Sequence, residues 1–211
     1  MSFQNFYRDA YADLERGQGY DPATEPTFVL RVEAALRVIG DSPKRILDFG
    51  CGAGDAAKCF VDHGHHVVGV DISASGIRVA KTKVPAATFE LIDTETQLPF
   101  LNESFDICFC TEVIEHLFDV GGFIGEIHRL LTKDGLFLLT TPYHGWIKNL
   151  CIITFAFEKH FAPSSGHIRF FSKRSMSQCL QSGSFRVEQI YGIGRYWPVW
   201  KSMFVVAWKH A

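Results

Sequence analysis

Two short stretches of the chain hold side chains whose types and spacing can do chemistry. Arg45 to Asp55 reads RILDFGCGAGD: Ile46, Leu47 and Phe49 form an apolar run interrupted by Asp48, and Gly50, Cys51, Gly52, Ala53 and Gly54 follow as a turn with almost no side-chain bulk. Glycines there let the backbone take positive φ and approach a ligand closely. Ala56 to His63 has a helical pattern, and its free N–H groups would face the same crevice. A second apolar run, His66 to Val70, ends in Asp71, where a carboxylate can hold the two hydroxyls of a ribose. The turn is G-x-G-x-G, not the dinucleotide G-x-G-x-x-G, and Asp55 stands where the third glycine of that fingerprint belongs. With Asp48 and Asp55 flanking it, the turn suits a ligand carrying an ammonium and a sulfonium better than one carrying phosphates.

The second stretch is Thr111-Glu112-Val113-Ile114-Glu115-His116. On a helix, Glu112, Glu115 and His116 stand at i, i+3 and i+4 and share one face. A positioned histidine or carboxylate can take the proton of an acceptor hydroxyl, and so can a divalent metal that lowers the hydroxyl's pKa. No metal is assigned. Glu112, Glu115 and His116 are the candidate ligands, an incomplete shell of two carboxylates and one imidazole. His63, His65 and His66 also cluster, but in a turn at the far end of the sheet, where a solvated turn is expected.

The elements that must position these groups alternate along the chain. After the opening βαβ unit, Ser75 to Val84 reads as a helix and Thr88 to Ile92 as a third strand closed by Asp93 and Thr94. Phe105 to Cys110 and Leu136 to Thr140 are continuous apolar runs, as expected of strands four and five covered on both faces. Gly145 to Phe157 is an apolar, aromatic stretch that suits a buried or interfacial helix and is too short to cross a bilayer. Lys173 to Gln181 makes a last helix capped by Ser172, before two closing strands, Phe185 to Ile190 and Met203 to Trp208. Upstream, Phe28 to Ile39 is an amphipathic helix ending at Gly40, and Phe3, Phe6, Tyr7 and Tyr11 recur at helical spacing.

The glycine turn and Asp71 resemble motif I of the class I S-adenosylmethionine-dependent methyltransferases, and LIDTETQLPFLNESFD resembles that family's region from strand three to strand four. The resemblance implies an α/β, Rossmann-like three-layer sandwich with a seven-stranded, mostly parallel sheet whose last strand inserts antiparallel between the fifth and sixth. It implies S-adenosylmethionine as cofactor, held by Asp48, Gly50, Cys51, Gly52, Gly54, Asp71, Ile72, Asp93, Thr94 and Thr111. Asp93 would bond the adenine amino group, the Thr111 carbonyl region would receive the methionine ammonium, and Tyr7 and Tyr11 would belong to an N-terminal lid. E-x-x-E-H resembles the ubiquinone-pathway O-methyltransferases and the RNA 3′-end 2′-O-methyltransferases, the latter holding magnesium on two glutamates and two histidines, so that resemblance implies a second histidine here, from His144, His160 or His167. Other members carry the pattern without metal, which makes His116, Glu115 and His144 the expected catalytic groups. TPYHGWIKNL, GHIRFFS and GRYWPVWKSM resemble a group of bacterial methyltransferases, often of undefined substrate and some of them from sugar or cell-surface-glycan pathways, and Tyr143, His144, His167, Arg169 and Arg195 are expected to line the acceptor pocket.

Totals bound the rest. The 211 residues suit one domain, parsed as a helical lid (1–40), a cofactor-binding core (44–141) and a substrate-side, sheet-closing region (142–211). Six cysteines without a CxxC suit buried thiols in a reducing cytoplasm. The polar N-terminus and the lack of an 18-residue apolar run suggest neither a signal peptide nor a membrane span. Net charge is −2, but residues 151–211 carry eight Lys or Arg against two Glu, which leaves −8 on residues 1–150. The expected partner is a small-molecule acceptor, anionic or linked to lipid or sugar, methylated at oxygen. The near-neutral total disfavours nucleic acid, and the rivals are an RNA 3′-end methyltransferase, a non-catalytic cofactor-binding module and an NAD-dependent oxidoreductase.

Overall fold

The computed structural model describes residues 26–161 and 167–210. Residues 1–25 of the proposed N-terminal lid (1–40), with Tyr7 and Tyr11, lie outside the described residues. Helix α1 (Pro26–Ile39) starts on proline, which fits a first helical position because its missing N–H has no partner there anyway. It leads into β1 (Arg45–Phe49), α2 (Asp55–Asp62), β2 (His66–Asp71), α3 (Ala74–Lys83), β3 (Thr88–Leu91) and β4 (Phe105–Thr111). Helix α4 (Val120–Leu130), β5 (Leu131–Pro142), α5 (Trp146–Phe155), α6 (Phe157–His160), α7 (Lys173–Ser182), β6 (Phe185–Ile193) and β7 (Ser202–Lys209) complete it.

The seven strands lie in the order β3-β2-β1-β4-β5-β7-β6, and β7 runs antiparallel to both β5 and β6, as the family resemblance implies. Alternate residues feed two cores. Ile46, Ile107 and Phe109 face α1, α2 and α3, while Leu47, Cys108 and Cys110 face α4 and α7. Cys108 and Cys110 therefore share a face, buried and without a disulfide. The sequence reading missed α4, whose apolar stripe (Phe123, Ile124, Ile127, Leu130) covers β4 and β5. Asp119 caps it by accepting a hydrogen bond from the Gly122 amide at 2.8 Å. Strand β5 also begins five residues earlier than expected, with a register break between Phe105 and Ile107 of β4.

Strands β1, β4, β5 and β6 are mutually parallel, so their C-terminal ends open on one crevice. The histidine turn lies at the opposite end, as expected, but it is not uniformly solvated. His63 and His66 are exposed, whereas His65 is buried against Phe60.

Candidate active site and cofactor crevice

Gly50, Gly52 and Gly54 all hold positive φ, at 77°, 51° and 80°. A Cβ on Gly50 would overlap a Val113 methyl, so the turn demands glycine there for space as well as conformation. The Gly50 and Cys51 amides both donate to the Val70 carbonyl, which locks the turn onto the end of β2. Asp71 fixes it further: one carboxylate oxygen accepts the Gly52 amide at 2.8 Å and the other the Ser73 amide at 2.7 Å. Each oxygen keeps a second lone pair for a ligand hydroxyl.

Asp48 is buried under this turn, and its Oδ2 has no hydrogen-bond partner. Burial first, and then the neighbouring Asp71 charge, raise its pKa from 3.8 to about 7. Asp71 is also raised, by burial, against the pull of its amide donors. Asp55 is not part of this charge deficit, because Lys83 meets its carboxylate at 2.8 Å. Two buried carboxylates, one with an orphaned oxygen, sit beside a glycine cradle and lack a cation among the described residues. That arrangement fits a compact cationic ligand with ribose hydroxyls, as S-adenosylmethionine is. Ile72 is half-buried beyond Asp71, Thr94 pairs with Thr96, Asp93 follows β3, and Thr111 ends β4 at the crevice.

Glu112, Glu115 and His116 do not share a helix face. Glu112 takes φ 53° in a bend, and only Ile114–His116 forms a single 3-10 turn. The bend sends Glu112 away from the other two, to accept from Thr140 Oγ1 at 2.9 Å and to pair with Arg31 of α1 at 3.4 Å. Glu115 turns inward. Its Oε2 accepts from Thr141 Oγ1 at 3.0 Å, while Oε1 has no hydrogen bond and lies 3.9 Å from His116 Nε2. Burial, with the Glu112 charge adding to it, holds the Glu115 pKa well above the carboxylate range. Of the three histidines offered for the cluster, the fold supplies His167, whose ring centroid is 4.9 Å from that of His116. Ligand atoms of Glu115, His116 and His167 lie within 4.8 Å of one another. Their approach depends on the Glu115 carbonyl, which accepts the amides of both Ile168 and Arg169.

His144 belongs to a neighbouring pair with His160, at 5.3 Å between ring centroids. Its Nδ1 meets Asn149 Oδ1 at 3.0 Å, which leaves Nε2 buried without a partner and carrying the lone pair. Burial lowers its pKa to about 4, and burial also lowers those of His160 and His167. These imidazoles are neutral at pH 7 and able to accept a proton or hydrogen bond. Tyr143 packs on Trp200. Arg169 is committed to the loop after His116, donating to the carbonyls of Leu117 and Phe118. Arg195 stands exposed on the β6–β7 loop. The sequence reading missed Arg31, Thr141 and Asn149, since each acts through a partner distant in the chain or across a turn that no motif marks.

A doubly wound sheet, a glycine cradle at the end of β1 and an acidic residue closing β2 define a cofactor-binding α/β domain. Residues 26–190 match the family model of a methyltransferase domain. Over 175 residues the chain is 30% identical to a ubiquinone biosynthesis O-methyltransferase of Rhodopseudomonas palustris (strain BisA53), covering 76% of this chain and 69% of that protein. A protein of the same name from Bradyrhizobium sp. (strain ORS 278) is 38% identical over 104 residues, which span 48% of this chain and 41% of the relative. The fold superimposes on 1,6-didemethyltoxoflavin-N1-methyltransferase of Burkholderia thailandensis, solved with 1,6-didemethyltoxoflavin and S-adenosylhomocysteine bound. The TM-score is 0.75 at 17% identity, over 99% of this chain and 87% of that one. The chain belongs to the class I S-adenosylmethionine-dependent methyltransferases.

Proposed function

We propose that this methyltransferase acts on an oxygen of a small-molecule acceptor, and that Glu115, His116 and His167 handle the acceptor's proton. S-adenosylmethionine supplies a methyl group on a sulfonium, already an excellent leaving group. The protein must therefore align the acceptor, exclude water and weaken one O–H bond. Asp48, Asp71 and the glycine turn hold the cofactor side. His116, neighbour to the inward Glu115 carboxyl and a second imidazole, takes the proton, and the unpartnered Oε1 of Glu115 is placed to accept from the imidazolium that forms. His144 Nε2, its tautomer set by Asn149, accepts a hydrogen bond that orients the acceptor. Tyr143 lines the same side, and Arg169 holds the loop that carries His116.

The observation that carries this reading is the convergence of one buried carboxyl and two imidazoles, from two distant segments, beyond the ends of β4 and β5. The relatives named for ubiquinone biosynthesis O-methylation agree with an oxygen acceptor. A second reading rests on the same cluster: one carboxylate and two imidazoles can ligate a divalent ion, which would acidify the hydroxyl directly. The test is a screen with radiolabelled methyl donor across catechols, sugar nucleotides and lipid extracts, run with EDTA and with added magnesium. O-methylated product that survives EDTA and is lost in His116→Ala supports the proton-transfer reading. Loss in EDTA with recovery by magnesium assigns the metal, and methylation at nitrogen or carbon overturns the oxygen acceptor.

A further inference from the structure

Helix α5 is inside out. Of its sequence WIKNLCIITF, the one buried residue is Lys148, while Trp146 is 78% exposed, Leu150 58%, Ile153 59% and Phe155 84%. Trp146, Leu150 and Ile153 stand at i, i+4 and i+7, a single apolar stripe turned to solvent, where a surface helix normally turns its polar face. The inversion is pinned. Lys148 Nζ donates to the carbonyls of Trp200 and Lys201, at 2.9 and 3.1 Å, fastening the helix to the β6–β7 loop. That loop presents Tyr196 and Trp197, both exposed, and Phe157 continues the apolar surface beyond α5.

Two observations say what covers this face. The exposed aromatics are of the interfacial kind, with an indole or phenol that suits the boundary between hydrocarbon and water. The charge around them is mostly of one sign: α5 and the β6–β7 loop contain no Asp or Glu, Arg195 and Lys201 stand exposed on that loop with Tyr196 and Trp197, and the exposed Glu158 beside Phe157 is the one acid at the edge. A second copy packed on this face about a two-fold axis would bring those like charges together. Ten residues of helix reach only about 15 Å, enough to lie in a headgroup layer and too short to cross a bilayer. No helix among the described residues is long and apolar enough to span.

We propose that α5 and the β6–β7 loop form a docking face for an anionic lipid bilayer. Strands β5 and β6 are parallel, so α5 and the loop both leave the sheet at the end where the crevice opens. Docking there sets the crevice mouth against the headgroups, open to an acceptor with an apolar tail. The geometry of α5 carries the proposal, whichever atom is methylated.

The test is cosedimentation of the full chain with vesicles of phosphatidylcholine alone or with about one quarter phosphatidylglycerol. The protein should partition onto the anionic vesicles at least about tenfold more strongly than onto the neutral ones, and less so as salt rises. The variant Leu150→Ser/Ile153→Ser/Phe155→Ser should lose about tenfold or more of that binding. Calorimetric S-adenosylmethionine affinity, set by the far side of the sheet end, should stay unchanged and show that the variant is folded. Absence of wild-type binding, or equal binding by the variant, overturns the proposal. So does a wild-type dimer in sedimentation equilibrium that the variant abolishes, which would assign the face to a second copy. Failure to bind the cofactor would sink the methyl-transfer reading and leave the vesicle result standing.

Discussion

Asp48 offers the sharpest test of the proposed cofactor crevice, because its burial opposes stability while its charge would serve a cationic ligand. In the free protein its pKa stands at about 7 against an ordinary 3.8. A carboxyl whose folded pKa is raised contributes stability that is complete below pH 3.8 and is lost as pH rises through 7. The rise corresponds to about 4 kcal/mol of strain by pH 8. Asp48→Asn removes that strain and keeps an acceptor oxygen for the Ala57 amide. The free variant should therefore be more stable than wild type at pH 8, by up to about that amount, and nearly equal at about pH 4. Cofactor binding should show the opposite. A cationic ligand favours the ionised carboxylate, so wild-type affinity pays for deprotonation below pH 7 and not above it. The ratio of wild-type to variant affinity should rise about tenfold between about pH 6 and pH 8. Taking the ratio cancels the cofactor's own titration. Calorimetry at several pH values and denaturant melts measure both arms. An affinity ratio independent of pH, or a variant destabilised at pH 8, would refute a buried, proton-holding Asp48 that faces the cofactor.

Other outcomes follow from individual contacts. Gly192→Ala drives a Cβ into the Trp200 indole and should cost about 1–3 kcal/mol in denaturant melts. Phe109→Ala empties a fully buried site that meets Phe60 edge-on and should cost about 3–5 kcal/mol. Asn149→Leu removes the partner of His144 Nδ1, so nitrogen-15 NMR should show the wild-type Nε2 unprotonated at pH 7 and a mixture of tautomers in the variant. One tautomer in both would dismiss Asn149 as the orienting group. Glu115→Gln should become more stable relative to wild type as pH rises, since the raised carboxyl pKa withdraws stability as pH climbs, and should lower turnover. A variant as active as wild type would remove Glu115 from the proton path.

The sheet was legible because its evidence is local. A central strand covered on both faces reads as an apolar run, and Ile46 to Phe49, Phe105 to Cys110 and Leu136 to Thr140 all read that way. The glycine turn was legible for a related reason. Its positive φ values and lack of bulk are properties of the residues themselves, and Gly50, Gly52 and Gly54 all adopt them. Helix spacing, by contrast, misplaced Glu112. The pattern E-x-x-E-H fits a helix face, yet a positive φ at Glu112 and the Arg31 and Thr140 partners it meets turn it out of the cluster.

By itself, then, the sequence determined which segments are strands and most of the helices, where a tight turn lies and that carboxylates surround it. Those follow from side-chain period and backbone freedom over a few residues. Tertiary structure alone decided that His167 joins Glu115 and His116, and that His144 pairs with His160 instead. It also decided that Lys83 on α3 neutralises Asp55 beside the turn and leaves Asp48 and Asp71 without a cation among the described residues. Each of these meetings joins segments far apart in the chain. Helix packing on the sheet and backbone bonds such as those at the Glu115 carbonyl bring them together, and no pattern within a few residues records either.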